Sequence, residues 1–453
     1  MIDRSERIES HGPALVLGLG ITGRAVARAL VRRGDEVVLV DDAPSEPALA
    51  LAAELGATLE PAPGPDRLAE LLARAAIAVP SPGVPERHPL FALAAEAGVP
   101  IVSELDLAAA WDERPCLAVT GTDGKTTVVT LVTDMLRASG IVTVSAGNTE
   151  VPLVEAIDDP EAEVFVVEAS SFRLAAVRRF RPEVGTWLNF AADHQDVHLA
   201  LDGYERAKAR IWAGFGPGQL AIANVDDPVV MRNAGGVPRL ETFGLGGPGT
   251  ADWHVRAGSL RAPDGEELVA IDGLWRRFPH DLANALAAAA TAVGGGASRA
   301  AVRSTLLGFR GLPHRVTLVG EAEDVRYYDD SKATVPHATV AAVAGFESVV
   351  LIAGGRNKGV DLTGLAALSP RLRAVVAIGE AAPEVEAAFA GLRPVEVADS
   401  MDDAVERAGR LARAGDVVLL SPGCASFDWY RSYGERGDDF ARAVRELVGS
   451  RGS

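Results

Sequence analysis

Lysine is scarce in this 453-residue chain: of 44 lysines and arginines, only Lys125, Lys208, Lys332 and Lys358 are lysines. The two side chains differ in shape, hydration and nucleophilicity, so lysines that survive such a bias mark positions where a guanidinium cannot serve. Lys125 lies in AVTGTDGKTT, where an apolar strand enters a glycine turn and then the helical stretch VVTLVTDMLRASG. Backbone N–H groups of such a turn, with a helix N-terminus behind them, cradle phosphate. Gly121, Thr122, Asp123, Gly124, Lys125, Thr126 and Thr127 are therefore read as an ATP loop. Lys125 would reach the β and γ phosphates, and Thr126 would offer its hydroxyl to Mg2+. Val119 stands where the first glycine of the common G-x-x-x-x-G-K-[ST] pattern would fall, so this loop is tighter.

A second glycine turn, GLGITG, carries Gly18, Gly20 and Gly23 after a strand, and Asp41 closes the next strand. That spacing fits a dinucleotide fingerprint, yet it serves any phosphate-bearing ligand equally. A nicotinamide-dependent oxidoreductase stays open on this motif, although it leaves the lysine-bearing loop unexplained.

The elements around these turns are short apolar runs alternating with Ala/Leu/Arg-rich helical stretches. ALVLGLG, DEVVLVDD, CLAVTG, EVFVVEAS, VGTWLNF, QLAIANVDD, SVVLIAGG, LRAVVAIGE and GDVVLLSPG all read as buried parallel strands. Strand, turn and helix in succession imply doubly wound α/β sheets. Length favours about three domains, with breaks expected at 1–108, 109–311 and 312–453. The polar, Gly/Pro-rich section from 232 to 280 reads as an antiparallel insertion at the end of the middle domain. A net charge of −18 argues against nucleic-acid binding, and no apolar stretch reaches membrane-spanning length. The polar N-terminal residues do not read as a signal peptide. Two cysteines, Cys116 and Cys424, exclude a disulfide framework and fit the cytoplasm.

Together TGTDGKTT, EASSFRL, LNFAADHQDVH, YERAKARIW, LPHR, DDSKAT and GGRNK resemble the Mur ligases, in order and spacing, over nearly the whole chain. The resemblance implies a Rossmann-like uridine-nucleotide domain, a central P-loop-type ATPase domain and a Rossmann-like C-terminal domain for the incoming amino acid. It implies an ATP-dependent ligase of peptidoglycan precursor synthesis that adds D-glutamate to UDP-N-acetylmuramoyl-L-alanine through an acyl phosphate. A related amide ligase using another amino acid such as L-glutamate, and a catalytically silent binding protein, are the alternatives. The expected molecule is a cytoplasmic monomer acting on small molecules, with no nucleic-acid or membrane partner.

The resemblance also implies roles for particular residues. Lys125, Glu168, His194, Lys208 and Lys332 would be catalytic. Thr126, Glu168, His194 and Lys208 would hold Mg2+, with Lys208 converted by CO2 to a carbamate. Asn284, Arg315 and Asp330 would contact ATP. Gly20, Thr22, Asp41, Ser81, Gly83, Asn148 and Ser170 would bind the UDP substrate. Thr334, Lys358, Ser426 and Tyr433 would bind glutamate. The chain departs from the family pattern at Asp123 and Asp281, each in place of Asn. It departs also at Ala192 for an acidic residue, Arg173 for Gln and Val335 for Asn.

Overall fold

The computed structural model describes residues 12–148, 151–191, 200–246 and 249–451. It forms two compact units, Met1–Leu274 with Asp281–Phe309, and Trp275–His280 with Arg310–Ser453. The first unit holds two parallel sheets and a small antiparallel one, and the second holds one mixed sheet.

In the first sheet β1 (Ala14–Leu17), β2 (Val37–Asp41), β3 (Thr58–Pro61) and β4 (Ile77–Pro80) run in the order β3-β2-β1-β4. All three pairings are parallel. The strand ALVL is buried on both faces, so it shows a continuous apolar run rather than alternation. The order reverses between β1 and β4, and such a switch opens a crevice at the carboxyl ends of the strands.

The second sheet contains β5 (Cys116–Thr120), β6 (Thr143–Gly147), β7 (Val164–Glu168), β8 (Val184–Trp187), β9 (Leu220–Asn224) and β10 (Leu240–Phe243). Their order is β10-β9-β8-β5-β7-β6, so β5 lies inside the sheet and delivers the glycine turn at its carboxyl edge. Parallel register sets Val119 beside Glu168, and Glu168 beside Gly147. Three separate stretches of sequence are thereby brought to one point.

The section from 232 to 280 differs in part from the insertion expected there. Its strands β11 (His254–Arg256), β12 (Ser259–Arg261) and β13 (Glu267–Ala270) do form an antiparallel sheet. β10, however, pairs in parallel with β9 and extends the main sheet. Its LETF is short and mostly half-buried, too weak a pattern to read as a sheet strand.

In the second unit β14 (Thr317–Ala322), β15 (Val325–Asp329), β16 (Val349–Gly354), β17 (Leu372–Ile378), β18 (Val395–Ala398) and β19 (Val417–Gly423) run in the order β14-β15-β19-β16-β17-β18. β14 and β15 form an antiparallel hairpin, and the remaining pairings are parallel. Among the described residues no helix is long and apolar enough to cross a membrane. Both cysteines are unpaired.

Candidate active site

The turn after β5 leads into the helix Lys125–Ala138. Gly124 caps that helix at φ +84°, and a Cβ there would lie 2.4 Å from Asn284 Oδ1. Only glycine fits both constraints, and the same contact places Asn284 against the loop. Asn189 braces the turn from the end of β8. Its Oδ1 accepts from the N–H groups of Thr122 and Asp123, each at 2.9 Å, and its Nδ2 donates to the Asp123 carbonyl. With those two amides engaged, the donors left for phosphate are the first-turn N–H groups of the helix, which lack intrahelical partners. The positive end of the helix dipole adds to them. Asn189 was not singled out in the sequence; its one signal is an amide side chain directly after a buried strand.

Two of the four lysines converge on this loop. Lys125 Nζ donates to the carbonyls of Gly121 and Thr122, both at 2.8 Å. Lys208, only 1% exposed, donates to the same Gly121 carbonyl at 2.7 Å. Tyr204, one turn earlier on the helix Leu201–Ala209, sits under the Lys208 ammonium at 4.5 Å and meets the Thr122 hydroxyl. Glu168, 2% exposed, ends β7 beside β5 and accepts from Asn148 Nδ2 at 3.3 Å. Thr126 and Thr127 open the helix. His194 lies outside the described residues.

Among the described residues no cluster of three or more His, Cys, Asp or Glu forms a metal cage. The donors at the loop are the Glu168 carboxylate and the Thr126 hydroxyl, both hard oxygens. That set suits Mg2+, which keeps waters and phosphate oxygens in its shell rather than demanding an all-protein site.

The other glycine turn borders a cavity of about 540 Å3 lined by Gly20, Thr22, Asp41, Ser81, Gly83 and Asn148, among others. Asp41 accepts from the Leu19 and Ala43 amides, and Ser81 donates to the Gly18 carbonyl, so both brace the turn. Gly147, before Asn148, has φ +110°, and a Cβ there would meet the Glu168 carbonyl at 2.4 Å. Ser170 accepts from the Arg173 amide as the cap of a short helix. Arg173 forms a buried ion pair with Glu104. Burial pushes the Glu104 carboxyl above its ordinary range, with the Arg173 guanidinium opposing that rise.

In the second unit the expected residues gather at the carboxyl edge of the sheet. Lys332 Nζ lies 3.9 Å from the Tyr433 ring centre, and Thr334 follows on the same loop. Arg436, unnoticed in the sequence, is buried and donates to Ser331 and to the carbonyls of Cys424 and Ala425. Burial brings its guanidinium down to about 10, still charged at neutral pH. Arg356 and Ala425 exchange backbone hydrogen bonds, so the loops bearing Lys358 and Ser426 are joined. Lys358 is exposed and Ser426 buried. The Arg315 carbonyl accepts from Arg276, and the neighbouring His314 pairs with Asp329 at 2.6 Å.

Asp330 is buried and accepts from Ser421 Oγ at 2.7 Å. Burial pushes its carboxyl up to about 7 from an ordinary 3.8. Between those values the folded state holds a proton that the unfolded state has released, so stability from this group falls as pH rises through the window. Asp330→Asn should therefore gain stability relative to wild type at pH 8, by a few kcal/mol, and roughly a third as much at pH 5. Thermal unfolding midpoints at the two pH values test this; an equal effect at both would contradict it.

A cavity at the carboxyl edge of one parallel sheet, a glycine loop on which two lysines meet at the edge of the next, and a further sheet whose loops carry the other two lysines fit a nucleotide-dependent enzyme. Comparison with known proteins narrows the class. The model of the Mur ligase MurD-like N-terminal domain matches residues 13–103, that of the Mur ligase middle domain 119–292, and that of the Mur ligase glutamate ligase domain 314–424. The chain belongs to the Mur ligase family. It is 42% identical to a UDP-N-acetylmuramoylalanine–D-glutamate ligase of Frankia casuarinae, covering 96% of this chain and 94% of that one. A protein of the same name from Thermobifida fusca is 39% identical, over 96% and 98%. In fold the chain is similar to a pseudomurein peptide ligase type C from Methanothermus fervidus, with TM-score 0.60 at 17% identity over 96% of this chain and all of that one. It is also similar to UDP-N-acetylmuramate-alanine ligase MurC from Thermotoga maritima, with TM-score 0.55 at 18% identity over 97% and 100%.

Proposed function

We propose that this chain is a cytoplasmic, monomeric ATP-dependent ligase that joins D-glutamate to UDP-N-acetylmuramoyl-L-alanine in peptidoglycan precursor synthesis. The observation that carries the reading is the meeting of Lys125 and Lys208 on the Gly121 carbonyl, beside Glu168 and an open helix N-terminus. Joining a carboxylate to an amine in water needs activation. The alanine carboxylate attacks the γ phosphorus of ATP, ADP departs, and the glutamate amine then displaces phosphate from the acyl carbon. Such transfers are helped chiefly by positioning and charge neutralisation. Lys125 and the helix N-terminus hold the β and γ phosphates. Glu168 and Thr126, with His194 on sequence grounds, would hold Mg2+, which neutralises charge between the two anionic reactants.

A carbamate on Lys208 would set a negative charge beside the Lys125 ammonium at the Gly121 carbonyl. The Lys208 amine attacking CO2, with its proton lost to water, gives a carbamate and a further hard-oxygen ligand for the metal. Gly20, Thr22, Asp41, Ser81, Gly83, Asn148 and Ser170 are assigned to the UDP substrate. Asn284, Arg315 and Asp330 are assigned to adenosine and the γ phosphate.

Lys332, Thr334, Lys358, Ser426 and Tyr433 are assigned to the acyl phosphate and glutamate. Exposed Lys358 should pair with a glutamate carboxylate, a charge-assisted contact of about 1.5–3 kcal/mol. Lys358→Ala should accordingly raise the KM for glutamate about tenfold or more with little change in the KM for ATP. An unchanged glutamate KM would remove Lys358 from the pocket. The function itself is tested by ADP release in the presence of the muramoyl substrate with D-glutamate, L-glutamate or meso-diaminopimelate. Release only with D-glutamate supports the reading; release with another amino acid alone, or none at all, overturns it.

A further inference from the structure

Two cavities meet at one buried side chain. The cavity of about 540 Å3 along the first glycine turn and a second of about 390 Å3 beyond Ser81 and Pro82 are both lined by Arg173. Arg173 is 5% exposed and Glu104, its ion-pair partner, 3%. Nη2 of Arg173 donates to Thr22 Oγ1 and to the Gly147 carbonyl, each at 3.0 Å. Its Nε is buried without a hydrogen-bond partner. A buried guanidinium with an unsatisfied donor is costly, and apolar packing would fill this place better.

The charge makes sense against a diphosphate. Of the residues lining the larger cavity, Asp41 and Asp42 are acidic, His88 stands against Asp42, and Arg173 is the one arginine or lysine. The helix Ile21–Arg32 begins there, but its N-terminus offers only about half a positive charge. A diphosphate brings at least two negative charges, so the helix end alone leaves it under-neutralised. Thr22, in the first turn of that helix, completes the arrangement. A hydroxyl has one proton, and because Oγ1 accepts from Arg173, that proton remains for donation to another acceptor.

We propose that Arg173 is a diphosphate-positioning residue: its guanidinium, held in place by Glu104, turns a cationic donor toward the cavity and sets the Thr22 hydroxyl as a donor to a nucleoside diphosphate. The Gly147 carbonyl accepts from the same Nη2, so one nitrogen links the start of the Ile21–Arg32 helix to the end of β6. The inference rests on the uridine-nucleotide reading of this cavity.

The test is calorimetric titration of the full chain with UDP and with UMP, comparing wild type with Arg173→Gln, Thr22→Val and the combination of both. Arg173→Gln strands the buried Glu104 carboxylate, so Arg173→Gln/Glu104→Gln, which removes both charges, guards against loss of the fold. In Arg173→Gln and in the charge-free pair the Kd for UDP should rise about tenfold or more, with a smaller rise for UMP and unchanged ATP affinity. Thr22→Val and Arg173→Gln should be non-additive for UDP, since they act through one hydrogen bond. UDP binding within twofold of wild type in the charge-free pair, an equal loss for UDP and UMP, or strict additivity would each overturn the proposal. If wild type itself fails to bind UDP, the uridine-nucleotide reading fails instead.

Discussion

Lys208→Arg should abolish turnover although charge is kept and side-chain length is nearly so. The expected fall in kcat is on the order of 10³-fold, comparable to removing a preorganised charge from a phosphoryl-transfer site. If Lys208 acts as an ammonium, arginine retains the cation and part of the activity. If it acts as a carbamate, arginine replaces an anionic metal ligand with a permanent cation, since a guanidinium forms no such adduct. Lys208 lies 1% exposed beside the Gly121 carbonyl. Wild-type activity should fall in CO2-depleted buffer and return with bicarbonate. Acetate should partly restore Lys208→Ala by supplying the missing carboxylate. Near-normal Lys208→Arg activity together with indifference to bicarbonate would eliminate the carbamate.

Lys125→Met should have a loss of similar size by a different route. Lys125 Nζ is placed by two loop carbonyls at the start of the phosphate-facing helix, and no other lysine or arginine lies on the loop 121–127. Without it the β and γ phosphates lose their compact point charge, and kcat/KM for ATP should drop about 10²–10³-fold. Lys125→Arg should recover little, because a planar fork cannot reproduce a single nitrogen held by two carbonyls. UDP affinity should stay at the wild-type value, and neither bicarbonate nor acetate should rescue. Steady-state kinetics with ATP varied checks this; activity of Lys125→Met within fivefold of wild type would contradict the loop's role.

What could be read from the chain was local. The turn TGTDGKTT announces itself because glycine, lysine and threonine follow a buried strand directly. The nine apolar runs read as strands are all strands, since burial on both faces leaves an unbroken apolar signature. β3, β4, β6, β10, β14, β15 and β18 escaped; in β10 and β14 the reason is that LETF and TLVGEA carry polar or small residues at a sheet edge. The supports of the site were harder to see. Asn189 grips a loop 66 and 67 residues earlier in the chain, and Arg436 reaches Ser331 across 105. Arg173 could be noticed as a departure from the family pattern. Its partners Glu104 and Thr22 lie 69 and 151 residues away, and nothing in the local spacing pairs them. Charged residues among many others on a chain with 44 basic and 62 acidic side chains do not declare which are buried.

Oxygen labelling tests directly whether the alanine carboxylate is activated by attack on ATP. UDP-N-acetylmuramoyl-L-alanine carrying 18O in its carboxylate should be incubated with ATP, D-glutamate, Mg2+ and the full chain, and the inorganic phosphate examined by mass spectrometry. Attack on the γ phosphorus places one carboxylate oxygen between carbon and phosphorus, and the departing phosphate carries it away. One labelled oxygen per phosphate, in step with the amide formed, is the expected result. Amide formation with unlabelled phosphate, or ATP hydrolysis without amide, would contradict it.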